Sequence, residues 1–95
     1  MTNSLAQAEE FRVYMGCPIN SFSPEVLNLQ RRLISEEYNE FLDAHCEAVA
    51  YIQNKRSRVE ALKELTDLVY VCYQYASAAG WDLDEALDRV HPVSY

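Results

Sequence analysis

Between Leu27 and Ile52 the apolar side chains return at steps of three and four residues: Leu27, Ile34, Tyr38, Phe41, Leu42, Val49 and Ile52. That period belongs to a helix and not to a strand. Ser23-Pro24-Glu25 opens the stretch with a capping hydroxyl, a proline whose missing N–H costs nothing in the first turn, and an acid near the positive end of the helix dipole. The pattern runs for about eight turns, and its length admits a break between His45 and Ala48. With 2 Gly and 3 Pro in 95 residues, the composition argues against an all-β or loop-rich chain.

Three further helices follow from the same reading. Ser4 to Met15 carries a partial apolar face (Leu5, Ala8, Phe11, Val13, Met15) and stops at Gly16. Cys17 to Phe22 reads as an irregular loop. Asn54 to Ser57 reads as the connection after the long helix, with Ser57-x-x-Glu60 as a capping box. The third helix carries Leu62, Leu65, Leu68, Val69, Cys72, Tyr73 and Ala76 to a stop at Gly80, and its apolar middle predicts the central, most buried helix. Val69 to Tyr73 would also suit a strand, but the period on either side favours helix. Asp82-x-x-Glu85 caps a short fourth helix that reaches Val90 and closes at Pro92. The expectation is a single all-α domain over residues 1–95, an antiparallel helical-hairpin core with flanking helices in a four-helix-bundle-like assembly.

Seven Tyr, three Phe and one Trp are more aromatic surface than so small a unit readily hides, which predicts a homodimer or homotetramer. The net charge of −7 argues against a nucleic-acid polymer or an anionic membrane as partner, though not against a small phosphate ligand carried in by metal ions. Cys17, Cys46 and Cys72 are odd in number and lack zinc-site spacing, so they read as buried or half-buried free thiols in a reducing compartment. Met1 to Ser4 does not begin a basic-then-apolar leader, and no apolar run approaches the roughly 20 residues that span a bilayer. The location these features predict is the cytoplasm, bacterial or of a phage-infected host.

Two acidic signatures carry the chemistry. In Glu36-Glu37-Tyr38-Asn39-Glu40, Glu37 and Glu40 stand one turn apart, with Glu36 one turn from Glu40 on the next stripe; Glu64 and Asp67 repeat that spacing on the third helix. If the two helices pack, these carboxylates converge and need a positive partner, for which a hard divalent cation such as Mg²⁺ is suited. Spacing alone fits a solvated acidic face as well as a metal site. Two details favour the metal: Glu64 and Asp67 lie among Leu62, Leu65, Leu68 and Val69, and the two pairs fall at similar depth in an antiparallel hairpin. Asp88-x-x-His91 is one short acid–His pair, not a di-iron pattern, so His45 and His91 read as structural or surface residues. No glycine-rich phosphate loop, calcium loop or nucleophile elbow is present, and no Ser or Cys has a convincing His partner.

Arg32 to Glu40 followed by Glu64 to Val71 resembles the EExxE and ExxD signature of the MazG-like, all-α nucleotide pyrophosphohydrolases, in particular the compact phosphoribosyl-ATP pyrophosphohydrolase-type and phage members. The resemblance extends upstream over Phe11 to Pro18 and downstream over Gly80 to Leu87 with Val90-His91. It implies hydrolysis of a nucleoside triphosphate to the monophosphate and pyrophosphate with Mg²⁺ or Mn²⁺, two or more ions per site. Glu37, Glu40, Glu64 and Asp67 are then the metal ligands, with Glu36 and Glu37 as the catalytic carboxylates; Glu36 is a further ligand or orients the attacking water. Relatives commonly follow Val-His with an Asn and a Lys that hold substrate, where this sequence reads Pro92-Val93-Ser94-Tyr95. Phosphate contacts are therefore expected from Arg32, Lys55, Arg58, Lys63 or a neighbouring subunit. Asn20 or Asn28, with Trp81, Phe22 or a tyrosine, would meet the base.

A guanine nucleotide, GTP or dGTP, is the first substrate to expect, in control of the nucleotide pool. Two other functions fit the same residues. One is a helical module of this fold that binds nucleotide or protein without turnover. The other is a purely structural oligomer, which predicts no metal affinity.

Overall fold

The computed structural model describes residues 4–91. Pro92, read as closing the last helix, and the segment Pro92 to Tyr95 lie outside the described residues, as do Met1 to Asn3. Four helices make up the architecture: α1 (Ser4–Met15), α2 (Pro24–Ala50), α3 (Lys55–Ala79) and α4 (Leu83–Val90). No strand occurs among the described residues, so the all-α expectation holds.

The Ser23 side chain accepts the Val26 N–H at 3.3 Å and starts α2 where the Ser-Pro-Glu signal placed it. α2 then continues through His45 to Ala48 without a break, because Ala44 and Ala48 lie on its packed side. The start of α3 differs from the sequence reading. Asn54, not Ser57, is the cap, its side-chain oxygen accepting the Arg56 N–H at 2.9 Å. Asn caps as well as Ser does, and the earlier start turns Ser57 inward toward α2 as a half-buried residue of the first turn. The connection, four residues long in either case, therefore moves earlier to Tyr51–Asn54, and α2 ends at Ala50, short of Ile52.

α2 and α3 form an antiparallel hairpin whose seam follows a heptad rhythm. On α2, Gln30, Ile34, Glu37, Phe41, Ala44 and Ala48 step by four and three, each buried or half-buried. On α3, Ser57, Ala61, Glu64, Leu68, Val71, Tyr75 and Ala78 do the same. Two of these seam positions are glutamates.

α1 packs on the far half of α3. The buried Arg12 donates from Nε to the Pro18 carbonyl at 2.8 Å and from Nη1 to Gln74 Oε1 at 3.1 Å, while Gln74 returns a long bond to the Ala8 carbonyl at 3.5 Å. Phe11 meets Tyr70 edge-on at 6.1 Å. The loop after α1 is tied to the end of α3, where Asn20 N–H donates to the Ser77 carbonyl at 3.2 Å and Ser21 N–H to the Ala78 carbonyl at 2.6 Å. The bond to Ala78 reaches one of the last carbonyls of the helix, while the Ser77 carbonyl also accepts the Gly80 N–H at 3.2 Å. Gly80 ends α3 at φ +79°, with Trp81 N–H donating back to the Ala76 carbonyl at 2.9 Å. α4 is capped by Asp82, which accepts the Glu85 N–H at 3.1 Å.

A single chain leaves this fold open. Its fully buried apolar residues are alanines, and no large side chain among the described residues is wholly enclosed. The chain exposes 7238 Å², about 1,600 Å² more than a compact monomer of its 11.0 kDa would. Its radius of gyration, 15.5 Å, exceeds the about 12 Å of a compact domain of this length. α3 is central in that it contacts both α1 and α2, but its apolar middle is not covered: Leu62, Leu65 and Val69 stand exposed. Of the cysteines, all free, Cys17 and Cys72 are half-buried as expected whereas Cys46 is exposed. Burial pushes the Cys72 thiol up from its ordinary range.

Candidate metal centre in the hairpin seam

Glu37 and Glu64 occupy the middle of the seam, where heptad packing would ordinarily place an apolar side chain. One turn along α2, Glu40 joins them. Glu37, Glu40 and Glu64 each offer one carboxylate oxygen within 4.8 Å of the others. Oxygens around a small divalent ion at about 2.1 Å stand roughly 3–4 Å apart, so this is a spacing such an ion can close.

Two of the carboxylate oxygens make the case sharper. Glu37 Oε2 and Glu64 Oε2 are both buried and have no hydrogen-bond partner. A buried carboxylate oxygen without donor or cation is costly. The Glu37 carboxyl is held above the usual carboxylate value, first by burial, then by hydrogen bonding to Glu40 and by the charges of Glu40, Asp67 and Glu64. Asp67, half-buried one turn after Glu64, thus adds its charge from beside the cluster rather than as a fourth member of the trio. The donor set is all oxygen and anionic, which fits a hard divalent ion.

Lys63 stands at the rim. Its ammonium lies 3.3 Å from Glu64 Oε1 and 3.9 Å from Glu60 Oε1, and bonding to Glu64 together with the charges of Glu64, Glu60 and Asp67 raises its pKa. Glu36 is exposed on the stripe beside Glu37, and Arg32 is exposed one turn before it. Lys55 and Arg58 are exposed in the first turn of α3, nearer the hairpin connection.

Asn20 and Trp81 are not brought to these acids within one chain. Both are anchored at the end of α3, on Ser77 and Ala76 respectively, and Ala76 lies nine residues beyond Asp67, about 14 Å along the helix. Trp81 there contacts Phe22 at 5.6 Å and Tyr75 at 5.7 Å between ring centroids. His45 lies exposed against Phe41 at 6.1 Å, away from the trio, and His91 is exposed at the cap of α4.

Sequence reasoning missed Arg12 and Gln74, buried polar residues that fix α1 on α3. An arginine amid a partly apolar helix gives no local signal of burial. The Leu62 and Leu65 that suggested burial of Glu64 turn out to be exposed on another side of α3; Glu64 is half-buried because it faces the seam.

An antiparallel helical hairpin with acids of the EExxE and ExxD signature meeting in its seam defines an all-α, MazG-like nucleotide pyrophosphohydrolase. The family model described as phosphoribosyl-ATP pyrophosphohydrolase matches residues 15–93, and the chain belongs to that family. The match takes in both acidic signatures and leaves nearly all of α1 outside it. No individual curated protein matches the chain.

Proposed function

We propose that the protein hydrolyses a nucleoside triphosphate to the monophosphate and pyrophosphate, with Glu37, Glu40, Glu64 and Asp67 holding Mg²⁺ or Mn²⁺, two or more ions per site. The observation that carries this reading is the pair of buried, unpartnered oxygens on Glu37 and Glu64 in the seam of a chain from a pyrophosphohydrolase family. Bound there, divalent cations would neutralise phosphate oxygens and acidify water. The chain's own groups do the rest. Glu36, exposed beside the cluster, orients the attacking water and takes its proton. Arg32 and Lys63, the cations flanking the acids on α2 and α3, meet the phosphates. Water then attacks the α-phosphorus in line and pyrophosphate departs, so catalysis is chiefly positioning and charge stabilisation.

The active form in this reading is a homodimer or a homotetramer. Tyr38 and Leu42 follow Glu37 by one and five residues, and Leu65 and Val69 follow Glu64 by one and five. In an antiparallel pair, equal offsets fall on the same side of the seam. All four are exposed, forming an apolar flank beside the site. The surplus, about 1,600 Å² on one chain, is about twice the 800 Å² that each partner buries in a standard protein–protein interface, an area that obligate homodimers reach. Closing two hairpins over this flank would build a four-helix bundle, and would allow Asn20 and Trp81 of one copy to serve a nucleotide held by another. The cytoplasm is the proposed location. Among the described residues no helix is long and apolar enough to cross a membrane.

The test is a panel of the common ribo- and deoxyribonucleoside triphosphates, with phosphoribosyl-ATP added, under Mg²⁺ and under Mn²⁺, resolving mono- from diphosphate products. GTP and dGTP are the expected substrates. Turnover of none, with nucleotide still bound, would favour the non-catalytic module of the same fold.

A further inference from the structure

Resting on the reading of the seam acids as a cation site, we propose that Lys63 is the exchangeable counter-ion of that site. Its ammonium neutralises Glu64 until a divalent cation takes that carboxylate, and then passes to Glu60. Among the described residues, Lys63 is the only cation ion-paired to a member of the acidic trio. It reaches both carboxylates from one position, 3.3 Å from Glu64 Oε1 and 3.9 Å from Glu60 Oε1.

The two partners are unequal. The Glu64 side chain is 13% exposed with its other oxygen buried and unpartnered, whereas that of Glu60 is 55% exposed and well hydrated. A charge at the seam needs a counter-charge far more than one in water does. Lys63 is itself 61% exposed on a flexible four-carbon stem, so moving the ammonium from one oxygen to the other disturbs no packing. The exchange therefore gives Glu64 a counter-charge in the absence of a metal, yet resists metal uptake only by the worth of one exposed ion pair. The displaced ammonium remains at the rim, available to the phosphates of the proposed substrate.

The experiment measures Mn²⁺ binding to the metal-free full chain, without nucleotide, by electron paramagnetic resonance and calorimetry. Wild type is compared with K63M, K63R, E60Q, the E60Q/K63M double variant, and K55M as a control for loss of a nearby charge. K63M is expected to bind Mn²⁺ about two- to fivefold tighter, a larger gain than K55M gives, while K63R stays close to wild type. E60Q, which removes the second resting place of the ammonium, is expected to weaken Mn²⁺ binding by a larger factor with Lys63 present than in the K63M background. Equal factors in the two backgrounds, or a K63M no tighter than K55M, would overturn the exchange while leaving the cation site standing. A wild-type chain that takes up no Mn²⁺ would remove both. All five variants alter exposed side chains, and circular dichroism confirms that each remains helical.

Discussion

Glu37 on α2 and Glu64 on α3 meet across the hairpin seam, each offering a carboxylate oxygen to the shared 4.8 Å cluster and each carrying a buried Oε2 without a hydrogen-bond partner. Seam positions in a helical pair normally bury apolar surface that stabilises the pair. Here two of them carry negative charge instead, with Glu40 and Asp67 adding more. Without a cation, that concentration of charge costs the hairpin stability where the proposed chemistry takes place.

Isosteric neutralisation should therefore separate function from stability. E37Q and E64Q are expected to lower turnover by at least 100-fold, since each removes a charge that a divalent ion needs. The metal-free fold should be as stable as wild type or more so, because the substitution relieves like-charge repulsion. E40Q and D67N should follow the same direction in turnover. Steady-state kinetics with saturating Mg²⁺ and thermal melts of the metal-free proteins read the two effects. Near-normal rates in any two of the four would refute the assignment.

The raised Glu37 carboxyl gives a pH dependence of definite sign. Its folded pKa lies above the ordinary value of 4.5, so the folded chain binds this proton more tightly than the unfolded chain does. The contribution to stability is full below pH 4.5 and is lost as pH rises through the elevated folded value. Metal-free protein should thus lose stability across that window, and E37Q should lose less. Mg²⁺ or Mn²⁺ at neutral pH should restore it; at a hundredfold excess over Kd the gain is about 2.7 kcal/mol. Melting curves against pH, with and without cation, provide the measurement.

The apolar flank predicts an assembly. Leu65 and Val69 are exposed in one chain, where substitution would ordinarily change stability by less than about 0.5 kcal/mol. If a second hairpin covers them, L65D and V69D should split the oligomer and lower the melting temperature sharply. Light scattering at micromolar concentration should give at least twice 11.0 kDa for wild type and a shift toward one chain for the variants. A wild-type mass of one chain would refute the assembly.

How the sequence was misled is instructive about helical pairs. Of the apolar residues that stood out on α2, Ile34 and Phe41 do face the seam, whereas Tyr38, Leu42 and Val49 line the exposed flank. The row that packs against α3 includes Gln30, Glu37, Ala44 and Ala48, too polar or too small to be noticed as a core. Helix identity was legible because the period survives either way. The Ser23, Asp82, Gly16 and Gly80 boundaries were legible because capping is local chemistry. The start of α3 was not, since Asn54 and Ser57 are both competent caps and the choice depends on packing against α2. The acids were found by their spacing, which a helix fixes. The distance from them to Asn20 and Trp81 depends on where a loop docks and escaped the sequence for that reason.

That docking can be tested at Gly80. Its φ of +79° disfavours any side chain, and an added Cβ would lie 2.8 Å from Asn20 Oδ1 and 3.1 Å from the Asn20 Cα. G80A is expected to destabilise the fold by about 1–3 kcal/mol. Trp81 fluorescence should report the change, because Phe22 and Tyr75 lie against that ring. An unchanged melt would mean that the loop is not held against α3 as described.

The bond that is cut provides the last test of the proposed reaction. Attack at the α-phosphorus in ¹⁸O-labelled water places the label in the monophosphate and releases unlabelled pyrophosphate in equal amount. Attack at the β-phosphorus yields the same two products but labels the pyrophosphate. Attack at the γ-phosphorus yields diphosphate and orthophosphate instead. All three call on activated water beside a carboxylate cluster, so Glu37, Glu40 and Glu64 do not by themselves select among them. The family's pyrophosphohydrolase chemistry selects the α- or β-route over the γ-route. Between those two, the resemblance to the MazG-like pyrophosphohydrolases favours attack at α, with pyrophosphate as the departing group. Mass spectrometry of the products should therefore find one labelled oxygen per monophosphate. Label confined to pyrophosphate or orthophosphate would refute this route.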